Sequence, residues 1–194
     1  PYLNKLKGEI LTMSNKKYTI YSGGLKGAEE TFGECAEKYG VIETNFSFEG
    51  HKCSRNKNIT MLSDAELKKG NISMEIVSAR MGRRYAQADK IRKVFQTIFH
   101  MVNKGYQVFA IGWIQSDKTV KGGTGWGVEL AKFFNRPVSV FDQGENKWYT
   151  WEKDEWKEDE PVILHETFCG TGTRNLSPEG KKAIEDLFGR SFSA

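Results

Sequence analysis

The feature that most constrains how this chain can fold is a local order that occurs three times: a short β-prone segment, a glycine-rich loop and a helical pattern. Residues 18–21, Tyr-Thr-Ile-Tyr, are β-branched and aromatic and run into Ser22-Gly23-Gly24-Leu25-Lys26-Gly27. From Gly27 to Tyr39 the apolar positions Ala28, Phe32, Cys35, Ala36 and Tyr39 fall at helical spacing, and Gly40 supplies the stop. Residues 106–111 form the short apolar run of a strand buried on both faces. Lys121-Gly122-Gly123-Thr124-Gly125, a helical stretch over residues 126–134 and a second apolar run at residues 138–141 follow, which makes a βαβ unit with a parallel, right-handed crossover. Residues 164–168 read as a strand and residues 170–175 as a glycine-rich turn. Residues 177–188 read as a helix, with Ser177 at the N-cap and Pro178 in the first turn. Strands alternating with helices predict one α/β domain of Rossmann-like type, a mainly parallel sheet flanked by helices.

Between these units the signals are weaker. Residues 41–48 have strand composition, and residues 51–60 are polar and read as a loop. Ser63-Asp64-Ala65-Glu66 has the form of a capping box, and residues 72–85 and 88–103 read as helices, the second with Ile91, Val94, Phe95, Ile98, Phe99 and Val102 on one face. Residues 147–151 are aromatic and pair as a hairpin or edge flap with the segment near Trp156. Residues 1–12 precede a Met13 that reads like a natural start, so residues 1–14 are taken as an N-terminal extension, of upstream or artificial origin, and residues 15–190 as the domain.

At 194 residues one core suffices. The 29 basic and 25 acidic residues are interspersed and leave a net charge of +4, which helps a phosphate-bearing ligand and argues only weakly for nucleic acid. No apolar run reaches the roughly 18 residues of a membrane span, and the start lacks a signal-peptide core, so a cytoplasmic protein without membrane contact is expected. Cys35, Cys53 and Cys169 are too few and scattered for a disulfide scaffold. His51 and Cys53 sit two apart, but no second ligand pair with zinc-like spacing accompanies them, and no metal site is expected.

In a parallel sheet the carboxyl ends of the strands share one rim, where ligands bind, so the three glycine loops are expected to converge there. Glycine lets the backbone approach a phosphate, and a helix N-terminus presents unpaired N–H groups to it. Lys26 and Arg174 are placed to add positive charge. Each loop taken alone reads equally well as a tight strand-to-helix turn. Asp142 follows a strand on the same rim and suits either a ribose hydroxyl or a turn. Glu29 and Glu30 suit the first turn of a helix through the dipole. Trp126, inside a glycine loop, is a candidate for stacking on a base. Trp148, Tyr149, Trp151 and Trp156 read as stacking residues or as an edge cluster. His100 and His165 read as packed or surface residues.

Gly122-Gly123-Thr124-Gly125-Trp126-Gly127-Val128-Glu129 resembles the G-G-x-G-x-x-x-E motif of the LOG phosphoribohydrolases, part of the SLOG superfamily with the Smf and YpsA-like proteins. The resemblance implies phosphate contacts from Gly122, Gly123 and Gly125, with Thr124 beside them, and a catalytic or ribose-binding role for Glu129. Trp126 stands where the family has threonine. Ala79-Arg80-Met81-Gly82-Arg83-Arg84 does not match the family's arginine motif, so no arginine is assigned. Ser22-Gly23-Gly24-Leu25-Lys26-Gly27-Ala28-Glu29 and Gly170-Thr171-Gly172-Thr173-Arg174 resemble two YpsA-like motifs in inverted order. This implies a circularly permuted member of that family, some of which are described as molybdenum-cofactor carriers. It further implies that Ser22 and Arg174 are neighbours in space.

Together these readings predict binding of a nucleotide or other phosphate-bearing, nucleotide-derived ligand at the rim, without a certain resident cofactor. An N-glycosidase acting on a nucleotide through Glu129, or single-stranded DNA binding of the Smf type, are the alternatives, and a homo-oligomer is compatible with each.

Overall fold

A computed structural model describes residues 15–85 and 88–193; the expected extension, residues 1–14, lies outside the described residues. The tyrosine-rich segment forms β1 (Thr19–Ser22), and the pattern after it forms α1 (Ala28–Tyr39), closed by Gly40 in the left-handed conformation. Then come β2 (Ile42–Ser47), β3 (Ile59–Met61), α2 (Asp64–Lys68), α3 (Asn71–Met81) and α4 (Asp89–Lys104). The second half contains β4 (Gln107–Gly112), α5 (Thr124–Phe133), β5 (Val138–Asp142), β6 (Lys147–Glu152), β7 (Glu155–Glu158), β8 (Thr167–Gly172) and α6 (Pro178–Phe192).

The eight strands form one sheet in the order β3-β2-β1-β8-β4-β5-β6-β7. Every pairing from β3 to β5 is parallel, and β6 and β7 add an antiparallel hairpin at the edge. Lys153 and Asp154 turn that hairpin with positive φ, as a two-residue turn of this kind requires. All six positions of β4 are buried, as expected of a strand covered on both faces. On one face α1 and α6 pack over Ile20, Phe32, Phe109, Phe168, Ile184 and Phe188. On the other, α3, α4 and α5 enclose Met74, Val77, Ile98, Val102, Val128 and Leu130. No described helix is long and apolar enough to cross a membrane.

β8, late in the chain, lies between β1 and β4 at the sheet's centre. It begins at Thr167 and carries through Gly172, so Gly170 and Gly172 belong to the strand and not to a turn, while Leu164 lies outside it and is exposed. Packing explains the glycines. A Cβ on Gly170 would come within 2.6 Å of the Phe32 ring, and one on Gly172 within 2.7 Å of the Ile111 carbonyl. Part of the segment read as a loop, residues 51–60, also enters the sheet, since Ile59 and Thr60 open the edge strand β3. Its three residues are all exposed and lack the alternation that marks a half-buried strand. β3 is held instead by polar contacts: Asn58 Nδ2 donates to the Glu43 carbonyl at 2.8 Å, and Arg55 bridges Glu43 at 2.5 Å and Glu37 at 3.0 Å.

Candidate functional site

The chain runs from β1 through α1 to one side of the sheet, and from β4 through α5 to the other, so a crevice opens above the carboxyl ends of β1, β8 and β4. A cavity of about 560 Å³ occupies it. Gly23 after β1, Gly122 and Gly123 before α5 and Thr124 at its start, and Thr171, Gly172, Thr173 and Arg174 around the end of β8 all line it. The three glycine loops expected to meet do meet. Ile91, Val94, Phe95, Ile98 and Met101 of α4 form an apolar wall, and Lys121 and Arg174, both exposed, bring positive charge.

The loops are joined directly. Ser22 Oγ donates to the Gly170 carbonyl at 2.7 Å across 148 residues of sequence, and Ala28 N–H donates to the Thr173 carbonyl at 3.0 Å. Gly27, with φ 97°, permits that approach, because a Cβ there would lie 2.7 Å from Arg174 Cα. The segments bearing Ser22 and Arg174 are therefore packed together.

The loops differ in what they offer a ligand. At the start of α1 the Ala28 N–H is taken by the Thr173 carbonyl, and the Leu25 N–H by the Glu29 carboxylate at 3.1 Å, so these two donors are engaged within the protein. Gly122 has φ 69°, a turn conformation that leads the chain into the N-terminus of α5, where Gly123 is the N-cap. A Cβ on Gly123 would meet nothing nearer than the Phe95 ring at 4.0 Å, so the backbone there faces open space. This end of α5, beside Lys121, is suited to an anion. Gly125 serves packing: a Cβ would lie 2.0 Å from the Val120 carbonyl. Arg83 pins the same loop from outside, donating to the Val120 carbonyl at 2.9 Å and to the Gly122 carbonyl at 3.3 Å.

Glu29 is the carboxylate that lines the cavity. It is buried, with Oε1 accepting from Thr171 Oγ1 at 2.9 Å. Burial pushes its carboxyl up to about 7, against the hydrogen bonds from Leu25, Thr171 and Gly23 and the nearby Arg174, which act in the other direction. A group titrating near neutrality can donate to or accept from a ligand hydroxyl.

Several expected residues lie elsewhere. Glu129 does not line the cavity; its carboxylate meets Arg80 Nε at 3.3 Å and Lys132 Nζ at 3.5 Å. Arg80 thereby pairs with Glu129, a contact that its sequence context does not signal. Trp126 is buried and stacks on Phe95 at 4.5 Å, so it belongs to the core behind the α4 wall. Asp142 holds the turn before β6, accepting from Gly144 N–H at 2.7 Å. Lys26 is exposed and Gly24 is buried, and neither lines the cavity; the Gly24 carbonyl instead accepts from Ser54 and Arg55. Trp151 and Trp156 flank Lys132 at 3.6 and 4.7 Å, and Trp148 packs on Phe109 and Phe141.

Sequence reasoning missed His51, Lys121, Trp113 and Thr171 as cavity residues. Lys121 directly precedes Gly122 and is the most accessible of these from the sequence, as a cation next to a glycine loop. Among the described residues no group of three or more His, Cys, Asp or Glu side chains is arranged to hold a metal ion. Comparison with models of known families, with curated proteins and with solved structures returned no match.

Proposed function

We propose that this protein binds a nucleotide or a nucleotide-derived, phosphate-bearing ligand in the crevice above β1, β8 and β4. The observation that carries the reading is the meeting of three glycine loops, far apart in sequence, around one cavity with a cationic mouth and an apolar wall. In this reading the phosphate sits at Gly122, Gly123 and Thr124 beside Lys121, with Arg174 facing it across the mouth. Glu29 and Thr171 take ribose hydroxyls, and the base lies on the wall formed by Val94, Phe95 and Ile98. The loop of β8 stands beside that of β1 in space although 148 residues separate Ser22 from Gly170, so both can contact one ligand.

A flat, phosphorylated pterin would use the same wall and the same anion site, so it belongs in the ligand panel with nucleoside monophosphates and dinucleotides. Isothermal titration calorimetry is the test. Gly123→Ala fills the open anion site from an ordinary helical φ and is expected to weaken binding at least about tenfold without lowering the melting temperature. Failure of every panel member to bind the wild type would overturn the proposal.

The cavity-facing Glu29, held near neutrality, favours a second reading, release of the base from the nucleotide with Glu29 as general acid. Chromatography of the incubated panel checks it. Free base formed by wild type and lost in Glu29→Gln supports Glu29 as the acid, whereas loss in Glu129→Gln alone assigns the chemistry to the Arg80-paired carboxylate.

A further inference from the structure

Beside the first glycine loop, touching the cavity through His51, the structure holds a cluster of side chains to which the proposed ligand contacts assign no role. Cys53 Sγ lies 3.4 Å from Ser47 Oγ and 3.5 Å from His51 Nδ1, and Ser47 Oγ lies 3.1 Å from the same nitrogen. The thiol is also within reach to donate to the Gly23 carbonyl, at 3.4 Å. The loop is clamped there, since Ser54 and Arg55 both donate their N–H groups to the Gly24 carbonyl. The His51 ring stacks on Phe48 at 4.6 Å, which fixes its plane, and its Nε2 is buried without a hydrogen-bond partner among the described residues.

From this geometry we infer that Cys53 is an oxidisable thiol, activated through Ser47 and His51, and that the substrate it takes is a peroxide.

The arrangement supplies each part of the step. Burial, with the charges of Arg174 and Lys90, holds the His51 imidazole below its ordinary range, so it rests uncharged and takes the thiol proton only in step with the attack on the peroxide. The Cys53 proton passes to Nδ1, directly or through the Ser47 hydroxyl. The thiolate attacks one oxygen of the peroxide, the O–O bond breaks, and the leaving hydroxide takes the proton back from His51. Water and a Cys53 sulfenic acid result; the sulfur loses two electrons and the peroxide gains them. The chain's other two thiols provide the contrast. Cys35 and Cys169 are buried, and burial pushes the Cys35 thiol up to about 11 and that of Cys169 higher still, whereas Cys53 is partly exposed. Oxidation of Cys53 would change its contact with the carbonyl of Gly23, which lines the cavity.

The test treats the full chain with hydrogen peroxide in the presence of dimedone and follows each cysteine by mass spectrometry. Neither reagent depends on the nucleotide reading, so the two proposals fail separately. Dimedone is expected on Cys53 at a rate roughly tenfold or more above Cys35 and Cys169, and above N-acetylcysteine under the same conditions. His51→Gln is expected to slow labelling of Cys53 at least about threefold, with Ser47→Ala moving it in the same direction. Wild-type Cys53 reacting no faster than N-acetylcysteine overturns the inference without recourse to a variant. An unchanged rate in a folded His51→Gln protein overturns the role given to His51.

Discussion

Replacing Glu29 by Gln removes a charge from the buried end of the cavity while keeping the side chain's shape. The carboxyl moves from an ordinary value of 4.5 to about 7 on folding, chiefly through burial. Between these two values the folded chain keeps a proton that the unfolded chain releases, so Glu29 makes stability fall as pH rises through that window. Each unit is worth about 1.4 kcal/mol, so the full effect above neutrality is ~3 kcal/mol against the folded state. Glutamine carries no such penalty, and its amide can still accept from the Leu25 N–H and donate to Thr171 Oγ1, two of the partners of the carboxylate. The expected outcome is that Glu29→Gln matches the wild type near pH 4.5 and exceeds it by ~3 kcal/mol above about pH 8. Urea unfolding of both proteins across that range isolates the effect, because all other titrating groups cancel in the difference. Stability curves that run parallel from acid to alkaline pH would refute the assignment of a buried, near-neutral carboxyl at this position.

Two further substitutions probe the frame around the site. Gly125→Ala brings a methyl against the Val120 carbonyl, with Arg83 Nη1 only 2.7 Å away, and should destabilise the fold by ~2 kcal/mol or more in thermal unfolding, in contrast to the neighbouring Gly123→Ala. Arg55→Met leaves the buried Glu43 carboxylate without its ion-pair partner and should cost ~3 kcal/mol, with early loss of hydrogen-exchange protection in β3.

The parts of this structure that are legible in the sequence are those written in periodicity and glycine. The apolar run of β4, the spacing of α1 and the Ser177-Pro178 start of α6 are local signals, and tertiary packing agrees with them. The meeting of the three loops is also legible, because a parallel sheet brings the ends of its strands to one rim whatever their order. What is not legible depends on the direction of side chains. A glutamate five residues into α5 follows the helix round to Arg80 and Lys132, and Trp126, two residues after Thr124, turns into the core towards Phe95. Glu29 reads locally as a partner of the helix dipole, since nothing in its neighbours foretells that Thr171, from the far end of the chain, will close over it. β3 escapes because its attachment is polar, through Asn58 and Arg55, and leaves no hydrophobic alternation.

The central place of β8 also has a kinetic meaning. β1 can pair with β2 after a short excursion, but its other edge waits for a partner 148 residues further on, and β4 has the same need. Until that strand arrives, the apolar surfaces of Ile20, Phe109 and Ile111 have no middle strand between them. Closing so long a loop is entropically slow, so folding should be governed by the docking of β8, with the two halves of the sheet as preformed and adhesive intermediates during synthesis.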